Sequence, residues 1–236
     1  MENLLLLHGA LGAASMLEPL RHALKENYTV YTLNFAGHGG DALPDQGYTI
    51  ELFAQNVIDF IEQQQLKQVH IFGYSMGGYV GLYLAQQNPD RVKSVFTLAT
   101  KFAWSEETAA KEVKLLNPDK IKEKVPQFAA ALAKRHAPQP WEQVMHQTAA
   151  MMQQLGKQPL LTPEILVQLQ QPVQIAVGDQ DNMVTLEETI AAYRNLPNAW
   201  LLVLPATKHP LETIPVPRLT HEINLFLAPA PASIPA

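Results

Sequence analysis

Short runs of β-forming residues alternate with amphipathic helical patterns along most of the chain, and this alternation constrains the fold more than any other feature. Six runs are typical of strands: residues 3–8, 28–35, 68–73, 92–99, 172–178 and 199–205. Several are apolar throughout, as expected for strands that are covered on both faces. The sequence therefore predicts an α/β fold with about six parallel strands, right-handed crossovers and helices on both faces of the sheet.

Residues 101–170 break this rhythm, because they show helical patterns and no strand pattern. Four helical segments are expected there, often near a proline that suits a first helical turn: residues 106–116, 118–135, 140–155 and 163–169. Ligands of parallel sheets bind at the carboxyl ends of the strands, so an insertion at that edge would cover the site. We predict a helical lid after the fourth strand, with a peripheral helical subdomain as the alternative.

The predicted lid divides the chain into a core of residues 1–100 and 171–227, the lid itself at 101–170, and a tail at 228–236. The tail is rich in proline and alanine and is expected to be extended or disordered.

Composition excludes several classes of protein. The formal net charge of the 236 residues is −5, and lysine and arginine are scattered, so no nucleic-acid footprint is visible. The longest aliphatic run, Leu4 to Leu7, is far too short to span a membrane, and no signal-peptide pattern opens the chain. We therefore expect a cytoplasmic protein, a monomer or homodimer, that acts on a small molecule and binds neither nucleic acid nor membrane.

The chain has no cysteine, which excludes disulfides, thiolate metal ligands and a thiol nucleophile. No pair of histidines has the spacing of a metal-binding motif, so no metal is expected.

Ser75 stands out because it lies between Gly73 and Gly77 in the segment GYSMGG, after a predicted strand and before a helical pattern. A tight strand-to-helix turn leaves no room for side chains beside the turn residue, and glycines supply that room. The serine is then strained and exposed at the sheet edge, facing the free N–H groups of the helix N-terminus. Such a position favours a nucleophile whose reaction develops an oxyanion. The alternative is a glycine-rich turn with an inert serine.

A serine hydroxyl needs a base to remove its proton, and the base needs an orienting acid. Both are expected in loops at the carboxyl ends of later strands. Asp179 and Asp181 follow the fifth predicted strand, and His209 follows the sixth.

Four motifs carry a resemblance to the α/β-hydrolase fold superfamily, in the group of small lidded serine hydrolases with esterases, C–C hydrolases and haloperoxidase-like enzymes. The motifs are LLLLHGALG, LNFAGHGGD, GYSMGG, and VGDQD followed by KHPLE. The resemblance implies a catalytic triad of Ser75, Asp181 and His209 without a cofactor, with Asp179 as the less favoured acid. It also implies an oxyanion hole made by the backbone N–H groups of Ala10 and Met76, with Leu11 as the fallback for Ala10.

The chain departs from this family's pattern in three ways. It begins almost at the strand before the HG loop, so the usual N-terminal hairpin is expected to be absent. Asn34 stands where aspartate is usual, in a loop that shapes the pocket. Lys208 stands where glycine is usual, and its side chain is expected to point to solvent.

The pocket is expected to be mostly apolar. Candidates for its walls are Leu11, Phe35, Tyr74, Phe102, Trp104 and Met183, with methionines 145, 151 and 152 as candidates for a roof. Ordinary core packing is the alternative for each.

The function predicted first is cleavage of small, largely apolar carboxylic esters or related acyl compounds through an acyl-enzyme. The alternatives are a C–C hydrolase, lyase, acyltransferase or perhydrolase that uses the same triad, and a non-catalytic ligand receptor.

Overall fold

A six-stranded, fully parallel sheet forms the centre of the molecule, which a computed structural model describes for residues 1–228. The strands are β1 (Glu2–Leu7), β2 (Tyr28–Thr32), β3 (Val69–Tyr74), β4 (Val92–Leu98), β5 (Val173–Gly178) and β6 (Ala199–Leu204). Their order across the sheet is β2-β1-β3-β4-β5-β6, and every neighbouring pair is parallel. The predicted α/β fold with six parallel strands is confirmed. Most of the predicted tail, residues 229–236, lies outside the described residues.

Ten α-helices surround the sheet in the described part of the chain. They are α1 (Glu18–Leu24), α2 (Ile50–Gln63), α3 (Met76–Gln87), α4 (Glu106–Val113), α5 (Pro118–Lys124), α6 (Pro126–His136), α7 (Trp141–Lys157), α8 (Pro163–Leu166), α9 (Leu186–Asn195) and α10 (Val216–Leu227).

Both faces of the sheet are buried, which explains the uninterrupted apolar run in β1. Leu5 and Leu7 belong to the hydrophobic cluster that includes residues of α2, α3 and α9, whereas Leu4 and Leu6 belong to the cluster of α1 and α10. Successive side chains of a strand point to opposite faces, so each leucine pair supplies one core. The sheet is thereby fixed between two helical layers, and its carboxyl edge is left for the loops that carry the candidate site.

Helices α4 to α8 lie within residues 101–170, between β4 and β5, and we call these residues the lid segment. Tyr79 of α3 joins this segment to the core. Its hydroxyl oxygen accepts hydrogen bonds from the backbone N–H groups of Leu160 and Leu161, at 3.0 and 2.9 Å. The predicted role of the segment as a lid stays a prediction.

The single helix predicted over residues 118–135 was wrong, because the structure has two helices there, α5 and α6. The break falls at Val125, whose φ of −138° and ψ of 59° are not helical. Proline disfavours a helical conformation in the residue before it and has no N–H to donate. Pro126 therefore ends one helix and begins the next.

Among residues 1–228, no helix is both long enough and apolar enough to cross a membrane.

Candidate active site

The turn between β3 and α3 holds Ser75 in a conformation that few residues adopt. Ser75 has φ 52° and ψ −117°. A Cβ atom added to Gly73 would collide with the backbone of Gly77 and Gly78, and one added to Gly77 would lie 2.5 Å from the carbonyl oxygen of Leu7. The glycines that flank the serine are therefore required by space, as the sequence motif indicates.

Four hydrogen bonds stabilise this strained backbone, one of them a 3.4 Å bond from the Tyr79 N–H to the Ser75 carbonyl. The Ser75 N–H donates to Leu98 O at 2.8 Å, and its carbonyl accepts from the N–H of Gly78 at 3.0 Å. The hydroxyl of Thr100 also donates to the Ser75 carbonyl, at 3.0 Å. Sequence reasoning missed Thr100. The available signal was its place two residues beyond β4, next to β3, where its side chain reaches the turn.

Asp181 and His209 form a buried hydrogen-bonded pair at the same edge of the sheet. His209 Nδ1 lies 2.8 Å from Asp181 Oδ2, and the two side chains are 9% and 0% exposed. An ionised carboxylate only accepts hydrogen bonds, so Nδ1 carries the proton and Nε2 is left as the basic nitrogen.

The other carboxylate oxygen, Asp181 Oδ1, accepts from the backbone N–H groups of Met183 and Val184, at 2.8 and 2.9 Å. Burial alone would raise the pKa of this carboxyl. The hydrogen bond and charge of His209, with the two N–H groups, outweigh burial and hold the pKa of Asp181 below its ordinary value.

Two further contacts fix the loop that carries the histidine. The hydroxyl of Tyr74 donates to the backbone carbonyl of His209 at 3.0 Å. Asp179 accepts from the N–H of Thr207 at 3.1 Å, so this carboxylate braces the loop rather than the imidazole. Lys208 is exposed.

The loop after β1 brings Ala10 next to Ser75, and polar groups hold its carbonyls. Gly9 O accepts from Gly12 N–H at 3.0 Å and from His8 Nδ1 at 2.8 Å. Leu11 has φ 56°, and its carbonyl accepts from Arg135 Nη1 at 2.8 Å and lies 3.1 Å from His136 Nε2.

Ala10 and Met76 both line a cavity together with Ser75. Met76 is the first residue of α3, so its N–H has no partner inside the helix. Both N–H groups thus belong to residues at the cavity wall, where an oxyanion would develop.

Two cavities meet at Ser75 and His209, and both are also lined by Ala10, Met152 and Met183. The small chamber has a cavity volume of about 50 Å³, and the large chamber has a cavity volume of about 350 Å³. The small chamber is also lined by Ile50, Met76, Tyr79, Lys101, Trp104, Glu112, Met151 and Leu155. The large chamber is also lined by Leu11, Tyr74, Leu115, Ile121, Phe128, Arg135, Pro210 and Glu212.

Four of the six residues predicted for the pocket wall line these chambers, namely Leu11, Tyr74, Trp104 and Met183, whereas Phe35 and Phe102 line neither. Phe35 is fully buried, and its ring lies 4.8 Å from the rings of His8 and Phe53. Phe102 is buried in the core cluster. Both residues therefore belong to the packed core, which was the alternative given for each pocket candidate.

Three charged side chains that sequence reasoning missed lie at the small chamber. Lys101 and Glu112 line the chamber, and Glu188 contacts it only through Lys101. The Lys101 Nζ atom lies 3.4 Å from Glu112 Oε1 and 3.6 Å from Glu188 Oε2. Nothing in the local sequence connects them, because they come from the loop after β4, from α4 and from α9. Within residues 1–228, no group of three or more His, Asp or Glu side chains is arranged to hold a metal ion.

Comparison with known proteins extends the resemblance found in the sequence. A putative carbamate hydrolase RutD of Caulobacter segnis is 34% identical over 93 residues, which cover 39% of this chain and 35% of that protein. The 2-(acetamidomethylene)succinate hydrolase of Mesorhizobium japonicum is 22% identical over 224 residues, 87% of this chain and 81% of that protein.

Among solved structures, MGS-M2, an alpha/beta hydrolase enzyme from a Medee basin deep-sea metagenome library, matches with a TM-score of 0.81 at 14% identity. That match covers 99% of this chain and 92% of the other. The family model for the alpha/beta hydrolase fold matches residues 2–154, well over half of the chain. The chain belongs to the alpha/beta hydrolase fold family, and the prediction of an α/β-hydrolase enzyme is confirmed at the level of that family.

Proposed function

We propose that the protein is a serine hydrolase that cleaves small, largely apolar carboxylic esters or related acyl compounds through an acyl-enzyme. The observation that carries this proposal is the buried Asp181–His209 pair, 2.8 Å apart, on the same cavity as the strained Ser75. An oriented imidazole and a half-buried hydroxyl at a helix N-terminus, both on the wall of one cavity, are the groups that acyl transfer requires.

The reaction would proceed in two displacements. Ser75 Oγ attacks the carbonyl carbon while His209 Nε2 takes its proton, and the resulting oxyanion accepts hydrogen bonds from the N–H groups of Ala10 and Met76. The imidazolium, stabilised by Asp181, then protonates the leaving alcohol as its bond to carbon breaks. Water repeats the same steps on the acyl-enzyme and releases the acid and the free serine.

The two chambers divide the substrate between them. The acyl group stays attached to Ser75, and the small chamber is built on α3 with Met76 and Tyr79. The leaving group must receive a proton from His209, and the large chamber continues along the histidine loop through Pro210 and Glu212. We therefore assign a short acyl group to the small chamber and a bulkier, apolar leaving group to the large one.

Serine-directed fluorophosphonate labelling tests the nucleophile. Wild-type protein should be labelled on Ser75, and Ser75→Ala should not be labelled, whereas Ser15→Ala, a change of an exposed serine, should be labelled like wild type. Label on the Ser75→Ala protein, or none on wild type, would overturn the proposal.

A substrate panel tests the acyl class. Short p-nitrophenyl esters should be hydrolysed faster than esters with long acyl chains, because the small chamber is confined. The panel should include p-nitrophenyl carbamates, since one relative is named a carbamate hydrolase. A labelled protein that turns over no ester would exclude ester hydrolysis and favour the other reactions that this triad supports.

A further inference from the structure

We propose that Glu112 makes the small chamber a cation subsite, and that the acyl group of the substrate carries an ammonium group that binds there. This inference rests on the proposed function for the identity of the acyl side, but the subsite itself can be tested without catalysis. It changes the expected acyl group from a purely apolar one to an aminoacyl group with an apolar stem.

The subsite starts from three charged side chains that are almost shielded from solvent. The exposed fractions of the side chains are 15% for Lys101, 13% for Glu112 and 8% for Glu188. The rest of the chamber wall is predominantly apolar, with Ile50, Trp104 and Met151 among its residues. Charges in such surroundings are costly unless they are paired. The partners of each charged group therefore show which of them can still accept a ligand.

Lys101 already has three acceptor oxygens around its ammonium group. An ammonium group has three N–H donors, and Lys101 Nζ lies 3.1 Å from the backbone oxygen of Met183, 3.4 Å from Glu112 Oε1 and 3.6 Å from Glu188 Oε2. An incoming carboxylate would have to displace one of these acceptors. The lysine is therefore a poor receptor for an anionic substrate.

Both carboxylate oxygens of Glu188 already face a partner, whereas only one oxygen of Glu112 does. Glu188 Oε1 accepts the backbone N–H of Phe102 at 3.2 Å, and its Oε2 faces Lys101. Glu112 faces only Lys101, through Oε1, among the interactions of the described residues, and it is the carboxylate that lines the chamber. Its remaining acceptor capacity is directed to whatever occupies the cavity.

The formal charges of these three side chains favour a cationic ligand over an anionic or neutral one. One lysine and two glutamates leave a formal excess of one negative charge, and one ammonium group would cancel it. A carboxylate ligand would double the excess, and a hydroxyl would leave it unchanged. A divalent metal is disfavoured because Lys101 stands between the two carboxylates.

A titration with three small ligands tests the subsite directly. Dissociation constants of n-butylammonium, 1-butanol and butanoate would be measured by NMR at constant ionic strength with wild type, Glu112→Gln and Glu107→Gln. Glu107 is on the same helix, but its side chain is 79% exposed and paired with Lys111, so it is the matched control. None of the ligands is a substrate, so a failed esterase assay and a failed subsite remain separate results.

Wild type should bind n-butylammonium about tenfold more tightly than 1-butanol, the difference expected for one charge-assisted hydrogen bond. Glu112→Gln should lose this preference, and Glu107→Gln should keep it. Equal affinities in wild type, a preference for butanoate, or a preference that survives in Glu112→Gln would each overturn the proposal. If Glu112→Gln does not fold, the comparison of the three ligands on wild type still decides.

Discussion

At the scale of single residues, the two aspartates in the loop after β5, Asp179 and Asp181, have different roles. Asp181 orients His209 and is itself held by two backbone N–H groups, whereas Asp179 only braces Thr207. The sequence places both aspartates after the fifth strand, and the family pattern favours Asp181. Substitution of each carboxylate by its amide separates the two roles.

Asp181→Asn should lower kcat by about 10³- to 10⁴-fold, because an amide that donates to Nδ1 selects the wrong imidazole tautomer. The asparagine oxygen can still accept from Met183 and Val184, so the loop should keep its shape. Asp179→Asn should retain most of the activity, since an amide oxygen can accept the N–H of Thr207. Hydrolysis of a short p-nitrophenyl ester measures both. Loss of activity in Asp179→Asn with activity retained in Asp181→Asn would reverse the assignment.

Residues such as Ser75 could be predicted from the sequence because their role requires a rare local pattern. Glycines at fixed spacing around a serine are needed by the backbone itself and are therefore visible in one dimension. Thr100 and Glu112 have no such pattern. Their roles depend on which strand and which helix lie beside them, so the residue pattern around them does not by itself predict those roles.

At the scale of elements, helix α6 connects the lid segment to the loop after β1, which carries the proposed oxyanion donor Ala10. Arg135 and His136, its last residues, both contact the carbonyl of Leu11, whose φ is positive. A carbonyl held in this way limits the motion of the loop in which the preceding residue, Ala10, carries the proposed oxyanion donor. The lid segment therefore contributes to the position of a proposed oxyanion donor without contacting the oxyanion itself.

Arg135→Met should lower kcat by about tenfold, because a charged hydrogen bond worth about 1.5 kcal/mol is lost from the loop. Arg135→Lys keeps a cationic donor and should recover part of the rate. Steady-state kinetics with p-nitrophenyl acetate measure both variants. An unchanged kcat in Arg135→Met would show that the loop holds its geometry without the lid segment.

The helices of the lid segment were the elements that the sequence predicted least well, because one predicted helix is two in the structure. Residues 118–135 keep helical composition across Val125 and Pro126, so periodicity alone joins α5 to α6. A proline at that point fits either the start of a new helix or a kink in a continuous one, so periodicity does not distinguish the two. Strands such as β1 were easier to predict, because a strand that is buried on both faces is apolar along most of its length.

At the scale of the whole molecule, three buried histidines join the lid segment to the core. The rings of His8 and His38 lie 5.1 Å apart, and those of His38 and His136 lie 5.7 Å apart. Burial lowers the pKa of His8 to about 4 and also lowers the pKa of His38 and His136. His8 Nε2 accepts the N–H of Phe35, so its neutral form is the one that the fold uses.

The sign of the pH effect follows from these lowered pKa values. In the unfolded chain His8 takes up a proton near its ordinary pKa of 6.5, and in the folded protein near 4, so acid favours the unfolded state in between. The free energy of unfolding should therefore be highest above pH 6.5 and fall as the pH drops toward 4, by about 3 kcal/mol from His8 alone. Asp181, whose pKa is lowered from 3.8, acts in a more acidic window.

Urea unfolding at pH 7, 6, 5 and 4 measures this dependence. His8→Gln should be less stable than wild type at pH 7, since it loses a fitted ring, but its unfolding free energy should fall less with acid, because glutamine does not titrate. His22→Gln, a change of an exposed histidine, should keep the wild-type slope. Equal slopes for wild type and His8→Gln would mean that the acid sensitivity arises elsewhere and that the buried cluster does not couple protonation to unfolding.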